Sequence, residues 1–340
     1  MKFSVLILAY NSHHFIVDCV ESVLREKTAV PDIEVLVLDN ASTDDTYDAL
    51  TAAFQNKEVS IFRVNHGLGY AGGNNYLAQA ASGDVLFVLN DDCIIEAGVF
   101  QSLTDEFSRR DSPDLIQCGL TDRSGEHWDT LGHFIDRLAF LRSVADGQPV
   151  TYGPRESYPL FGAAGAAFAI KRAAFEDLKG FDHKFSFLFE ETDLCWRAHI
   201  YGYTVIGVTS AIVRHQHLSR YKDNALAPQV DSPFYLMTRH RLRSILKNFE
   251  LTTLLYVLPV HIAIVSVFGV LESIRNCKSA PLKDTVRSLQ WNIANLSDTL
   301  HTRRMVQSRR QTSDMAMVKA GLIVPFSLKN LLNKAVAFKI

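Results

Sequence analysis

The chain has 340 residues, 47% hydrophobic and 21% charged, with a formal charge of −2; this excludes a tail-dominated disordered protein and leaves room for one large α/β domain with an appendage, or two modest domains. The near-neutral total hides an asymmetry, because residues 233–340 hold 16 Lys/Arg against 5 Asp/Glu, leaving 19 against 32 for residues 1–232. Five scattered cysteines with no Cys-x-x-Cys pair argue against a disulfide framework or a structural zinc and fit a reducing compartment.

In chain order, "FSVLILAY" follows a single Lys and leads into "NSHH" rather than a small-residue cleavage site, so a first strand is expected and no signal peptide. "HHFIVDCVESVLREK" then places Ile16, Cys19, Val20, Val23 and Leu24 on one helical face. "IEVLVLD", "VSIFRV" and "DVLFVLN" are further strand-length apolar runs without the alternation of a half-exposed sheet, and read as buried parallel strands. "DDTYDALTAAFQ" opens with capping-type residues and continues as a helix. Strand and helix alternating over the first hundred or so residues imply a doubly wound α/β sheet, in which ligands gather beyond the carboxyl ends of the strands.

That placement gives meaning to "DVLFVLNDDC", where a buried strand ends in two adjacent acids. Asp39, Asp91 and Asp92 are expected at one rim of the sheet, where neighbouring carboxylates repel unless a cation lies beside them. The alternative is a strand-to-helix turn with Asp as N-cap. Between these strands, "NHGLGYAGGNN" carries four glycines, suited to left-handed turns or to close approach of a ligand, before the helical "YLAQAASG". It lacks the Gly-Lys-Ser/Thr of a phosphate-binding loop, and the first strand lacks the dinucleotide fingerprint, which disfavours nicotinamide and flavin chemistry.

Further on, "FLFEETDLCWRA" embeds carboxylates among Phe and Leu, where desolvation raises a pKa and favours proton acceptance; acids complementing a helix N-terminus are the alternative, and Asp193 fits that structural purpose. In "VRHQHLS", His215 and His217 alternate along an extended segment, so only one can face a site. His13, His14, His66, His127 and His133 have no spacing that demands a role. After Arg239, Arg241, Arg243 and Lys247 comes the uncharged run 254–271, at the lower edge of what crosses a bilayer. A monotopic helix pair or a soluble helical hairpin, packed on the catalytic domain or in a homo-oligomer, both fit. "HTRRMVQSRRQ" extends the basic theme without the interleaved aromatics of a nucleic-acid site, which favours a membrane surface or a diphosphate-bearing lipid.

Taken in order, "SVLILAYNS", "VLVLDNASTDDT", "NHGLGYAGGNN", "VLFVLNDD", "GAAGAAFAIKRAAFEDLKGFDHKFSFLFEETDLCWRAHIYGY" and "VRHQHLS" closely resemble the family 2 glycosyltransferases of GT-A fold, particularly the rhamnosyltransferase-like members of bacterial surface-polysaccharide pathways. The likeness covers roughly residues 3–245. It implies a GT-A catalytic domain over 1–232, with a nucleotide-sugar half (1–95) and an acceptor half (96–232), followed by a helical, possibly membrane-associated region over 233–340. By resemblance, Asp39 holds the base and ribose, with Ala9, Asn11, Asn40 and Asp44 shaping that pocket. Gly69, Gly72, Gly73 and Asn74 lie along the nucleotide-sugar. Asn90, Asp91 and Asp92 form the acidic motif that binds Mg²⁺ or Mn²⁺ on the donor diphosphate, and His215 completes the metal site, with His217 as its alternate. Glu191 stands where most members carry Asp as catalytic base; Glu190 precedes it, and the extra methylene leaves open which of the two faces the acceptor.

The expected activity is inverting transfer from a dTDP-rhamnose-like or UDP-sugar donor to a saccharide or polyprenyl-diphosphate-linked saccharide, in the cytoplasm at the inner face of the cell membrane. A sugar-nucleotide transferase would want a basic glycine-rich N-terminal loop, which "AYNSHH" is not; a glycoside hydrolase has no use for a nucleotide pocket. A nucleotide-sugar-binding scaffold without activity is the non-enzymatic alternative.

Overall fold

The structure, a computed structural model, describes residues 1–54, 58–154, 156–216, 231–275 and 277–327. Met1–His133, Ser143–Ala198 and Tyr203–Leu218 form one compact unit, and Phe134–Arg142, His199–Gly202 and Ser219–Ile340 a second, taken over the described residues.

The first unit begins as the apolar runs predict: β1 (Phe3–Ala9), α1 (Ile16–Glu26), β2 (Ile33–Asn40), α2 (Thr46–Phe54), β3 (Val59–Val64), α3 (Gly69–Ala80) and β4 (Val85–Asn90). β1 pairs in parallel with β2 and β4, and β2 with β3. Side-chain alternation sends Phe3, Val5 and Ile7 of β1, with Val35, Val37, Phe87 and Leu89, to one face, where Ile16, Cys19, Val20 and Val23 of α1 join the same apolar core. β3 departs from the expectation of a buried strand. It is the sheet's edge, and its residues are half-buried or exposed because no strand covers its far side.

The chain continues through β5 (Cys93–Ile95), α4 (Val99–Phe107), β6 (Leu115–Thr121), β7 (Trp128–Thr130), β8 (His133–Asp136), β9 (Leu141–Ser143), β10 (Tyr158–Pro159), β11 (Ala167–Lys171), α5 (Arg172–Asp177), α6 (Glu190–Ile200) and β12 (Val205–His215), all but β8 and β9 lying wholly or mostly in the first unit. The sheet order is β10-β12-β6-β11-β4-β1-β2-β3, with β5 added to β12 and β7 to β6. β11 lies antiparallel between β4 and β6 and joins the parallel first half to the parallel β6–β12 pair. The doubly wound, mostly parallel α/β expectation holds.

The second unit contains α7 (Pro233–Asn248), α8 (Leu251–Arg275), α9 (Ala280–Ala294), α10 (Leu296–Ser308), α11 (Asp314–Lys319) and β13 (Ile323–Val324), the last in a small sheet ordered β13-β8-β9. α7 starts where its sequence says it should. Ser232 accepts a hydrogen bond from the Tyr235 N–H at 3.1 Å, and Pro233 fills the first helical position, where a missing N–H costs nothing.

Candidate active site

Parallel register sets Ala9 beside Asp39 and Leu8 beside Asn90, so the ends of β1, β2 and β4 share one rim. Asp39 is fully buried there. One carboxylate oxygen accepts the Ser42 N–H at 3.1 Å, and the other lies 3.1 Å from Nε of Arg63, whose guanidinium also sits over the Tyr47 ring. Asn11, in the left-handed region at φ 49°, turns the chain out of β1; its Oδ1 accepts the Thr43 N–H at 2.8 Å and its N–H donates to Ser42 Oγ. Asn40 Oδ1 accepts the Leu68 N–H. Asp44 pairs with His13 Nδ1 at 2.8 Å and with Thr46. Burial pulls its pKa up, but the hydrogen bonds from Thr46 and His13 outweigh burial and hold it below the ordinary range. Asp44 thus clamps the start of α2 to the turn after β1, and His13 has a partner that its spacing did not suggest.

The glycine-rich segment is more helical than its composition suggests, since α3 already begins at Gly69. Gly69 has φ 69°, and a Cβ there would come 2.7 Å from Ser186 O, the carbonyl that accepts the Tyr70 N–H. A Cβ on Gly73 would lie 2.3 Å from Leu8, so this glycine lets α3 rest on β1. Gly72 has only Leu68 nearby. Asn74 is buried; its Nδ2 bonds Tyr70 O, while its Oδ1 has no partner among the described residues.

The two acids after β4 diverge. Asp91 Oδ2 accepts the Tyr10 N–H at 2.9 Å and so pins the end of β1. Asp92 turns the other way. β12 runs antiparallel to β5 with His215 opposite Cys93, which brings His215 Nε2 to 3.4 Å from Asp92 Oδ1. Behind the ring, Asp129 Oδ2 lies 2.8 Å from His215 Nδ1. Burial works against charge on this imidazole, but the hydrogen bonds its ring donates to Asp129 and Asp92 prevail and push its pKa up to about 10. Asp129 belongs to "EHWDTLGHF", which gave no signal in the sequence, because its partner arrives only through the β6–β7 and β6–β12 pairings. His217 lies outside the described residues.

Ligand atoms of Asp92, Cys93 and His215 all fall within 4.8 Å of one another. Burial, then the charge of Asp92, drives the Cys93 thiol well above its ordinary pKa, so it stays protonated and is no ligand for a hard cation. What remains is one carboxylate and one oriented imidazole at the strand ends, a donor pair that would fit a divalent ion once the imidazole gives up its Nε2 proton, because metal and proton compete for that nitrogen, and that would leave the ion's other positions to phosphate oxygens and water. Among the described residues the group that could hold a metal brings together Asp92 and His215 of the expected ligands, and Asp91 lies outside it.

Glu190 and Glu191 open α6, preceded by Leu188 and Phe189 at φ 68° and 77°. Two consecutive left-handed residues without glycine cost about 1–2 kcal/mol each, and they aim the helix start. Glu190 is buried, with one carboxyl oxygen unpartnered among the described residues; desolvation and then the charge of Glu191 push its pKa well above the carboxylate range. Glu191 is half-buried, and desolvation raises it to about 7 against the opposing pull of the backbone N–H groups of Glu191 and Thr192. Of the pair, Glu191 is the one ionised near neutral pH. Tyr70, whose hydroxyl donates to Gly165 O, is buried, and burial first and then the neighbouring glutamates raise its pKa, which sets the start of α6 close to the Tyr70 hydroxyl. Asp193 takes the structural part expected of it, bonding Arg197 Nε at 2.8 Å while that guanidinium also donates to the Leu178 and Gly180 carbonyls.

Comparison with known proteins is consistent with this geometry. The model of the family described as glycosyl transferase family 2 matches residues 4–179. Glycosyltransferase GlyG of Streptococcus pneumoniae serotype 4 is 25% identical over 114 residues, 33% of this chain and 37% of that protein. The poly(ribitol-phosphate) β-N-acetylglucosaminyltransferase TarS of Staphylococcus aureus is 36% identical over 97 residues, 28% of this chain and 17% of that one. The matches therefore span about a third or less of these relatives. In structure, TarS 1–349 in complex with UDP-GlcNAc superposes with a TM-score of 0.57 at 15% identity, covering 96% of this chain and 94% of that one. GalNAc-T7 with UDP, GalNAc and Mn²⁺ gives 0.60 at 18%, covering 87% and 57%. These likenesses establish the fold as that of such transferases.

Proposed function

Since the chain belongs to glycosyl transferase family 2, we propose that it moves a sugar from a nucleoside-diphosphate donor to a hydroxyl of a saccharide, free or carried on a polyprenyl diphosphate, in bacterial surface-polysaccharide synthesis. The observation that supports this best is the Asp129–His215–Asp92 chain on the same rim as the buried Asp39. A rim of this kind is where an open α/β sheet binds nucleotides.

In this reading residues 1–95 bind the donor and 96–232 the acceptor. Asp39, with Ala9, Asn11, Asn40 and Asp44 around it, would orient the nucleoside; Gly72 and Asn74, whose Oδ1 has no partner among the described residues, would meet the sugar. Asp92 and His215 would hold the divalent cation. A carboxylate paired with an imidazole suits Mn²⁺ better than Mg²⁺, which prefers oxygen ligands alone. When bound, the cation neutralises charge that gathers on the departing diphosphate, more in the transition state than before it. Asp129 keeps the imidazole turned so that Nε2 meets Asp92. Glu191 takes the acceptor hydroxyl's proton as attack proceeds, while Glu190 stays protonated behind it. With no protein nucleophile assigned, a single displacement inverts the anomeric centre.

The UDP-GlcNAc bound to TarS makes UDP-sugars the first donors to try, with dTDP-rhamnose beside them. A thermal-shift screen of nucleotide-sugars with and without Mn²⁺ tests the reading, because the true donor raises the melting temperature by mass action. Stabilisation by no donor under either condition would count against the enzyme.

A further inference from the structure

The second unit distributes polarity in a way that does not suit water. In α9 the residues turned inward are Thr285, Ser288 and Asn292, none above 5% exposed, whereas Leu282, Val286 and Ile293 stand 39%, 45% and 73% exposed. Those three fall at i, i+4 and i+11, a single stripe. Most inward groups have partners: Thr285 Oγ1 donates to Pro281 O, Ser288 Oγ to Tyr235 O and Asn292 Nδ2 to Arg239 O, the last two on α7, which itself buries Arg239, Arg241, Arg243 and Lys247, while Asn292 Oδ1 has no partner among the described residues. On α8 the buried positions are Val257, His261, Val265 and Gly269, one i, i+4 row, while Leu255, Leu271 and Ile274 are 71%, 54% and 69% exposed. Leu296, Leu300 and Met305 of α10 are exposed as well. A helix on a water-facing surface turns its polar side out. Here polar groups are gathered inside, most of them bonded to neighbouring helices, and the apolar ones face out, the arrangement that hydrocarbon favours.

We propose that the outward face of α8–α10 is a membrane-docking surface that enters one leaflet of an anionic bilayer and does not cross it. Charge favours lipid over a second copy of the chain. Arg275, Lys278, Lys283 and Arg287, all exposed, gather where α8 ends and α9 begins; Arg275 pairs with Glu272 and Arg287 with Asp231 and Asp284, so Lys278 and Lys283 are the cations offered to headgroups there. Arg304 is exposed at the other end, in a cleft of about 450 Å³ that it shares with Leu251 and Arg303. An apolar strip with basic groups at both ends complements acidic headgroups over an acyl layer, and the long Lys and Arg side chains reach back to the headgroup level. Two copies meeting through this face would set like charges against each other.

By length and composition α8 could cross a membrane, since its 25 residues contain an 18-residue stretch of mean hydropathy 2.4 with 22% of it buried. Its packing argues otherwise. A Cβ on Gly269 would come 2.3 Å from Thr285 Oγ1 and 3.3 Å from Pro281 O, and Ser273 Oγ accepts the Leu282 N–H, so α9 runs directly beside the second half of α8. If α8 were upright, Lys283, Asp284 and Arg287 would be carried into the hydrocarbon with it. The buried row is also occupied by the unit itself, for His261 bonds Leu138 O at 2.7 Å and stacks on Phe140.

The inference goes beyond sugar transfer and holds whether or not the chain is active. The test is flotation of the full-length protein with vesicles of phosphatidylcholine, alone or mixed with phosphatidylglycerol. The protein is expected to float with the anionic vesicles. A Leu255→Ser, Leu271→Ser, Ile274→Ser variant should lose about tenfold in partitioning, and a Lys278→Glu, Lys283→Glu variant should lose its preference for anionic lipid. Circular dichroism and nucleoside-diphosphate release in solution report that each variant is folded. Cys277, the exposed thiol between α8 and α9, reports topology in cells: a membrane-impermeant maleimide should reach it from the side that holds the catalytic unit. Labelling only from the opposite side would show a crossing helix and overturn the one-leaflet geometry. Wild-type protein that stays at the bottom of the gradient, or forms a lipid-free dimer that the triple variant breaks, would overturn the docking surface. Lost transfer with intact flotation would touch only the enzymatic reading.

Discussion

Glu191→Gln separates catalysis from stability in one substitution. In the fold this carboxyl titrates at about 7, against an ordinary 4.5. Between those values the folded chain binds more protons than the unfolded one, so stability falls as pH rises through that window and levels off above about 7. The full difference corresponds to at most ~3 kcal/mol; because Glu191 is half-buried, water screens part of it, and ~1–2 kcal/mol is the working expectation. Glutamine removes the charge and keeps the shape. The variant should therefore match the wild type near pH 4 and melt a few degrees higher at pH 8. Its transfer rate, followed by nucleoside-diphosphate release, should fall ~10²–10⁴-fold. In the wild type, the acid limb of kcat/KM should bend near pH 7, with roughly a tenth of the enzyme competent at pH 6 and nine-tenths at pH 8. A variant less stable than wild type at pH 8, or one with undiminished turnover, would refute the argument that desolvation prepares this carboxylate as the base.

Other expectations concern the rim and its supports. Asp129→Ala should weaken Mn²⁺ binding ~10–100-fold by calorimetry, Asp129→Asn less, and Asp92→Ala should abolish it; equal affinity in Asp129→Ala would mean the imidazole needs no partner to hold its orientation. Gly73→Ala places a methyl against Leu8 and should cost ~1–3 kcal/mol in chemical denaturation, by forcing α3 off β1. Asp193→Ala leaves the buried Arg197 without its carboxylate and should destabilise by ~3–5 kcal/mol, whereas Asp193→Asn should recover part of the loss.

How much of this was legible in sequence depends on how local each signal is. β1, β2 and β4 announce themselves because a strand buried on both faces is apolar along most of its length, and the acids after β4 stand out by contrast. β3 carries the same composition yet lies at the edge, since pairing order is a property of the whole sheet. Asp129 gave no cue: it meets His215, 86 residues away, through strand register alone. Gly73 looked like a ligand-facing glycine, and only the distance to Leu8 identifies it as a packing residue. The inverted polarity of α9 could have been seen as an apolar stripe, but which side of that stripe faces the protein is decided by α7.

Leu188 and Phe189 hold a turn that most side chains avoid, immediately ahead of two reluctant carboxylates. Directed evolution for heat resistance alone would thus be drawn to this corner, where glycine at 188 relaxes the chain, the buried Phe189 being needed for packing, and a neutral residue at 191 removes the unfavourable charge. Survivors of such a screen would be hardy and idle, and a useful selection must ask for turnover in the same round.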